Sequence, residues 1–236
     1  MSKRTIIVAN GDPPAAKDVT RWWRPSDQVI AADGGAHHAL TLGLTPRVVV
    51  GDMDSLDADT REQLAHRGCR LALHPAEKDE TDLELALLLA VDEGATEIVL
   101  LGALGGRLDQ LLANVLLLTL PELAGASVKL ADDKQEAFVV RGGNQATVEG
   151  QVGDTLSLIP LNGDASGIYT QGLKWPLAGG TLLAGPARGV SNVIVSLPVR
   201  IRVKKGLLLV VHRFGGGEGK VFVERKVGYS TISENL

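Results

Sequence analysis

Two aspartates flank a methionine just past a run of valines in VVVGDMDSLD, residues 48–57. In an extended chain residues i and i+2 point to the same side, so Asp52 and Asp54 are expected to aim both carboxylates at one spot beyond a strand end. Like charges so placed repel, which asks for a cation between them. Similar residues recur wherever a strand-like run stops. Asn10-Gly11-Asp12 follows the first run, Asp33-Gly34-Gly35 the second, and Ser55 stands behind the aspartates of the third. Lys78, Asp79, Thr81 and Asp82 follow the fourth; Gly102, Gly105, Gly106, Arg107 and Asp109 follow the fifth. Oxygen donors without His or Cys suit a hard ion, and a few carboxylates beside open positions suit Mg²⁺ with substrate phosphates as its other ligands. GALGGRLDQ, residues 102–110, adds glycines whose N–H groups can approach an anion, a helix N-terminus and a bidentate donor in Arg107. No G-x-x-x-x-G-K-[ST] loop or dinucleotide fingerprint occurs. The chemistry indicated is metal-assisted transfer of a phosphoryl or pyrophosphoryl group.

Ordinary structural readings stand beside these. Thr81-Asp82-Leu83-Glu84 is a capping box in which Asp82 complements the helix dipole, and Asp33 before two glycines suits a turn. The five histidines show no ligand spacing. His37 and His38 are adjacent, point apart on a helix, and read like the others as surface or packing residues. Cys69, the single cysteine, reads as buried filler.

The elements that must position the acids follow from hydrophobic pattern. TIIVAN, DQVIAAD, RVVVGD, CRLALH, TEIVLLG and SVKLAD are near-continuously apolar, as buried parallel strands are. Helices are expected near 14–24, 35–42, 57–67, 82–93 and 107–120. Alternation of the two predicts an α/β fold with a doubly wound, mainly parallel sheet, and such sheets bind ligands beyond the carboxyl ends of their strands. After about residue 136 the pattern alternates in twos between Gly-rich turns, which predicts a smaller antiparallel β-sandwich domain. The division expected is 1–135, 136–212 and a C-terminal extension 213–236, whose glycine-rich start could lead into a hairpin. A net charge of −4 with scattered Lys and Arg gives no surface for tracking nucleic acid. One cysteine, no signal-peptide pattern and no apolar span point to a soluble protein of a reducing cytoplasm, without membrane contact.

ADGGA, GDMDS, KDETDLELAL and GALGGRLDQLLAN, in this order, together with GLKWPL and GVSN, resemble the thiamine pyrophosphokinase family over residues 5–212. The resemblance implies a homodimer that transfers the β,γ-pyrophosphate of ATP to the hydroxyethyl oxygen of thiamine, leaving AMP. It assigns Asp52, Asp54 and Asp82 to a magnesium-pyrophosphate site, with Asp33 and Asp79 beside them. Arg107 would clamp phosphate oxygens, and Asp109 would order Arg107 or the substrate end of the site. Asn10, Gly34, Gly35, Gly105 and Gly106 would line ATP, with Ser55 and Thr81 counted among its contacts. Thiamine would lie at the dimer interface against Trp175, Ser191 and Asn192, where an aromatic wall suits a flat cation. Many bacterial members carry His where this chain has Gln110, and the tail after about 212 is longer than their pattern. Two rivals stay in view, a pyrophosphokinase for another acceptor such as a pterin, and a binding regulator without catalysis. Retention of every acid disfavours the second.

Overall fold

The computed structural model describes residues 3–215; the tail beyond, where the hairpin was expected, lies outside them. Six short strands, β1 (Arg4–Val8), β2 (Gln28–Ala32), β3 (Val48–Gly51), β4 (Arg70–Leu73), β5 (Glu97–Leu101) and β6 (Ser127–Ala131), lie parallel in the order 4-3-2-1-5-6. Helices α1 (Gly35–Thr41), α2 (Ala58–His66), α3 (Asp82–Asp92) and α4 (Leu108–Leu117) connect them. Both faces of β1 are covered. Ile6 and Val8 pack with Ala39 of α1 and with Trp22, whereas Ile7 and Ala9 pack with Leu83 and Leu87 of α3. Burial on two faces is why the strand reads as an unbroken apolar run.

Two expectations change. The helix foreseen at 14–24 is a single 3-10 turn, Ala16–Arg21, in which only Val19 is buried. Val19, with Trp22 and Trp23 just past the element, still packs against the core, and Pro25 stops the segment from continuing as a longer helix. β4 is an edge strand with Leu71 and Leu73 exposed, not a buried one.

Among the described residues the second half contains only strands: β7 (Gln135–Arg141), β8 (Gln145–Val148), β9 (Thr155–Gln171), β10 (Ala178–Leu182), β11 (Asn192–Val193), β12 (Val199–Arg202) and β13 (Lys205–Arg213). β7 turns back antiparallel to β6, where Asp132 Oδ1 accepts from the amides of Lys134 at 2.7 Å and Gln135 at 2.8 Å. The sheet therefore continues through β6-β7-β13-β9 into the second half. β9 is longer than the sequence suggested. Its first part pairs with β13 and its second with β10 and β12, across Asn162 and Gly163 at φ 57 and 123°. Such a strand turns the corner between two layers, whose shared core holds Leu158, Ile168, Ile201 and Leu208.

At the junction of the halves, His212 of β13 is fully buried between two carboxylates. Its Nδ1 lies 3.3 Å from Glu136 Oε1 and its Nε2 2.9 Å from Asp154 Oδ2, while Lys129 of β6 donates to Glu136 Oε2 at 2.7 Å.

Candidate active site

The strand order reverses between β1 and β5, and the loops that follow these strands diverge to opposite faces there. They begin in close contact, with Ala9 N donating to Leu101 O and Gly11 N to Gly102 O, each at 2.8 Å. A Cβ on Gly11 would stand 2.5 Å from Gly102 O, and one on Gly102, at φ +69°, would stand 2.5 Å from Ala9 O. Only glycines let these backbones meet. Beyond them opens a cleft of about 750 Å³, at the switch point where α/β sheets bind ligands. A larger groove of about 960 Å³ runs along β7 and β8, but contains none of the acids that follow the parallel strands, and its Lys129 and Glu136 are already paired.

The acid loop reaches its geometry by a route other than the extended one. β3 stops at Gly51, and Met53 is buried at φ 65°, in the left-handed region. Asp52 and Asp54 therefore converge through a tight turn, in which Asp54 N donates to Asp52 Oδ1 at 3.1 Å and Ser55 Oγ to Asp54 Oδ1 at 3.1 Å. Arg61 of α2 fastens the turn, its Nη2 donating to Met53 O and its Nε to Leu56 O at 3.1 Å. Asp33, at φ 42°, ends β2 beside it, its N–H donating to Val50 O at 2.8 Å. Oxygens of Asp33, Asp52 and Asp54 all lie within 4.8 Å of one another. Asp33 is buried, and its Oδ1 has no hydrogen-bond partner among the described residues.

Asp82 stands outside this trio but lines the same cleft. A Cβ on Gly51 would approach Asp33 Cβ to 2.9 Å and Asp82 Cγ to 3.1 Å, so the glycine leaves room for both carboxylates. Lys78 Nζ lies 2.9 Å from Asp82 Oδ1, close enough as a charge but without hydrogen-bond geometry. Thr81 caps α3, its Oγ1 accepting from Glu84 N at 3.2 Å, so the N-cap half of the expected capping box forms in the same segment that faces the cleft.

Asn10, Thr81, Gly105, Gly106 and Arg107 also line the cleft, whereas Gly34, Gly35, Ser55, Asp54, Asp79 and Asp109 do not. Gly34 and Gly35 serve close packing: a Cβ would reach the Asn10 amide at 2.4 Å and Val8 O at 2.1 Å, respectively. Asp79 is exposed in the loop before α3. Asp109 accepts from Arg107 Nε at 3.1 Å and Nη2 at 2.6 Å. That pairing holds the Asp109 carboxyl below its ordinary value and raises Arg107. The sequence reading gave Asp12 only a place after the first strand and His38 a surface or packing role, and did not single out Asn114; all three line the cleft, and Arg61, also missed, stands behind it. Asn114 could have been found by its spacing along α4; it donates to Ala103 O at 3.0 Å and fixes the glycine loop.

Residues 19–130 match the family model of the thiamin pyrophosphokinase catalytic domain, and residues 145–208 that of the thiamin pyrophosphokinase vitamin B1 binding domain. This chain belongs to the thiamin pyrophosphokinase family. The thiamine pyrophosphokinase of Bacillus subtilis is 27% identical over 209 residues, covering 89% of this chain and 98% of that protein. The crystal structure of the Bacillus subtilis enzyme matches with a TM-score of 0.80 over 90% of this chain and 99% of that one. That of thiamin pyrophosphokinase from Geobacillus thermodenitrificans, 28% identical, matches at 0.77 over 91% and 99%. In the half matched by the vitamin B1 binding model, Trp175 is 57% exposed at the rim of a hollow of about 140 Å³ that Asn192 and Arg188 also line. The Asn192 side chain accepts from Trp175 N at 3.1 Å and donates to Trp175 O at 2.8 Å, fixing the tryptophan's backbone. Ser191 lies at φ 61° with its N–H on Ser157 Oγ at 3.0 Å.

Proposed function

We propose that this chain is a thiamine pyrophosphokinase, moving the β,γ-pyrophosphate of ATP onto the hydroxyethyl oxygen of thiamine and releasing AMP. The observation that carries the reading is the acid trio of Asp33, Asp52 and Asp54, with a buried unpartnered oxygen, at the cleft where the strand order reverses. A buried carboxylate oxygen without a donor is costly, and a hard cation satisfies it. The donor set therefore fits Mg²⁺, with Asp52 and Asp54 as ligands, Asp33 beside them, and Asp82 facing the same metal-pyrophosphate site. When bound, magnesium would neutralise charge that develops on the phosphate oxygens.

The chain's own groups then position the reactants. The O–Pβ bond forms from the thiamine hydroxyl, the bond from Pβ to the α,β-bridging oxygen breaks, AMP leaves with that oxygen, and the hydroxyl proton is released. Arg107 offers a planar fork to the transferring group. Its pair with Asp109 is solvent-exposed, at 74% and 63%, so a phosphate can displace the carboxylate at small cost. Asn10, Thr81, Gly105 and Gly106 wall the nucleotide, with Gly34 and Gly35 bringing α1 close enough to set Asn10. Ser55 orients Asp54, and Asp79 stands at the entrance before α3.

Trp175 offers an aromatic face to the cationic rings of thiamine, with Ser191 and Asn192 beside it. The hollow of about 140 Å³ is smaller than the roughly 300–1,000 Å³ of pockets that enclose a small ligand, so a second surface must complete it. α4 supplies a reason for a second copy of the chain. No residue of α4 is buried, and Leu108, Leu112 and Leu116 form an exposed stripe at helical spacing, 69%, 54% and 50% accessible. We read the functional unit as a homodimer, divided in each copy at 1–135, 136–212 and 213–236, and working in the cytoplasm. No helix among the described residues is long and apolar enough to cross a membrane. Incubation with ATP, magnesium and thiamine tests the reading. AMP and thiamine pyrophosphate in equal amounts support it, ADP would show simple phosphorylation, and thiamine binding without turnover would indicate a regulator.

A further inference from the structure

We propose that His38 is a proton-coupled counter-charge for the donor nucleotide, taking up a proton as the polyphosphate enters the cleft. This rests on the pyrophosphokinase reading above, and concerns a residue that the sequence pattern had left as packing.

The inference begins with the charges that line the cleft. Five are acids, Asp12, Asp33, Asp52, Glu80 and Asp82. Among the described residues the two permanent cations there already hold carboxylates, Lys78 that of Asp82 at 2.9 Å and Arg107 that of Asp109 at 2.6 Å. Lys78 also donates to Pro75 O at 3.1 Å. An incoming polyanion gains either cation only by displacing a carboxylate, readily at exposed Arg107, and His38 is the remaining lining group that can add a positive charge. It is half-buried, and among the described residues its ring makes no hydrogen bond, so nothing but solvent or ligand competes for it.

Its neighbour shows what a structural histidine looks like in the same helix. The His37 ring lies 3.3 Å from Ser55 O and 3.3 Å from Thr60 Oγ1, with Asp57 at 3.8 Å, tying α1 to the acid loop and to α2. Adjacent positions on α1 thus point to different tasks, one holding the metal loop and the other facing the cleft. Burial, and secondarily the His37 ring, lower the affinity of His38 for a proton, while Asp12 across the cleft works in the opposite sense. Without a ligand His38 is accordingly neutral near pH 7, since burial disfavours its charged form more than Asp12 favours it. A polyphosphate placed against it reverses the balance, and the proton comes from solvent. Asp12 lines the same cleft, with Gly105 leaving room for its carboxylate, whose Oδ2 sits 2.4 Å from the point a Cβ there would occupy.

The test is calorimetric titration of the full-length protein with Mg·ATP, without thiamine, at pH 7.5 in buffers of different ionisation enthalpy. Wild type is expected to take up a large fraction of one proton per nucleotide, and His38→Gln to lose that uptake. In steady-state assays His38→Gln should raise KM for Mg·ATP about tenfold, the factor a charge-assisted hydrogen bond of ordinary strength is worth, with a smaller effect on kcat. In wild type that KM should climb as pH rises through the ligand-raised value of His38. His38→Lys, permanently charged, should restore the low KM and abolish both the proton uptake and this pH dependence, which a merely structural histidine would not allow. Equal proton uptake in wild type and His38→Gln, or a low KM in His38→Gln, would overturn the inference. Failure of wild type to bind Mg·ATP at all would instead overturn the pyrophosphokinase reading.

Discussion

Replacing His212 by leucine removes the centre of the buried charge cluster that joins β6, β7 and β13 to the loop before β9. Breaking a buried ion pair by deleting one partner costs about 3–5 kcal/mol, because the other charge is left uncompensated. Here each carboxylate keeps part of its support. Glu136 retains Lys129 at 2.7 Å, and Asp154 retains the amides of Gln151 at 2.9 Å and Gly215 at 3.1 Å. The loss should therefore fall at the lower end, about 3 kcal/mol, or roughly a 1 M fall in the urea midpoint at a typical slope of about 3 kcal/mol per M. The pH dependence has a definite sign. Burial opposes charging of all three groups, but hydrogen bonds and opposite charges outweigh it: the two carboxylates raise His212, His212 and Lys129 lower Glu136, and the Gln151 amide followed by His212 and the Gly215 amide lowers Asp154. The His212 contribution is complete below its ordinary value near 6.5 and fades as pH rises through its raised folded value. The acids contribute fully above their ordinary values of 3.8 and 4.5, and lose that contribution as pH falls through their depressed folded values. Urea unfolding followed by tryptophan fluorescence, at fixed protein concentration, should show the widest gap between wild type and variant from pH 4.5 to 6.5 and a narrowing gap toward pH 9. A loss under about 1 kcal/mol, or a gap that widens from pH 6 to 9, would refute this account of the cluster.

Asp54→Asn should abolish pyrophosphate transfer while leaving the circular dichroism spectrum and thiamine binding intact, since Asp54 is an exposed acid of the metal trio; normal turnover would remove it from the metal site. Trp175→Ala should raise KM for thiamine tenfold or more, about 1.5 kcal/mol of lost aromatic contact, and spare KM for ATP. Gly35→Ala would set a Cβ 2.1 Å from Val8 O, and should lower the thermal midpoint sharply or prevent soluble expression; a stable variant would show that α1 can move off β1. Leu112→Glu places a charge in the exposed stripe of α4 and should shift the mass in light scattering from dimer to monomer; an unchanged dimer would put the interface elsewhere.

Several features of the site could be read from the sequence because they are local. Glycines and acids cluster after strands, and the strands announce themselves by unbroken apolar runs. The cap at Thr81 depends on four consecutive residues, and it forms as the spacing requires. The Asp52–Asp54 pair shows how far such reading reaches. Convergence of the two carboxylates was legible, but the extended geometry assumed for it was not correct, because buried Met53 turns through the left-handed region and Arg61 from the next helix fastens the turn. A guanidinium eight residues away in sequence leaves no mark in the acid motif itself. The long β9 was equally hidden. Asn162-Gly163 reads as a turn that ends a strand, whereas sheet pairing on both sides carries the strand through it as a corner.

Length, charge, hydrophobic period and the four motifs determined by themselves that this chain forms an α/β sheet followed by antiparallel strands, with acids beyond the strand ends. Those properties reside in neighbouring residues, where periodicity and turn chemistry act over a few positions. Tertiary structure alone decided which of these residues share a cleft. It brought Asp12, His38 and Asn114 to the switch point, left Asp79 exposed in its approach loop, and buried His212 between Glu136 and Asp154. The physical reason is that strand order and register join residues far apart along the chain. Whether a polar group there finds a partner, a ligand or neither depends on the packing of several elements at once.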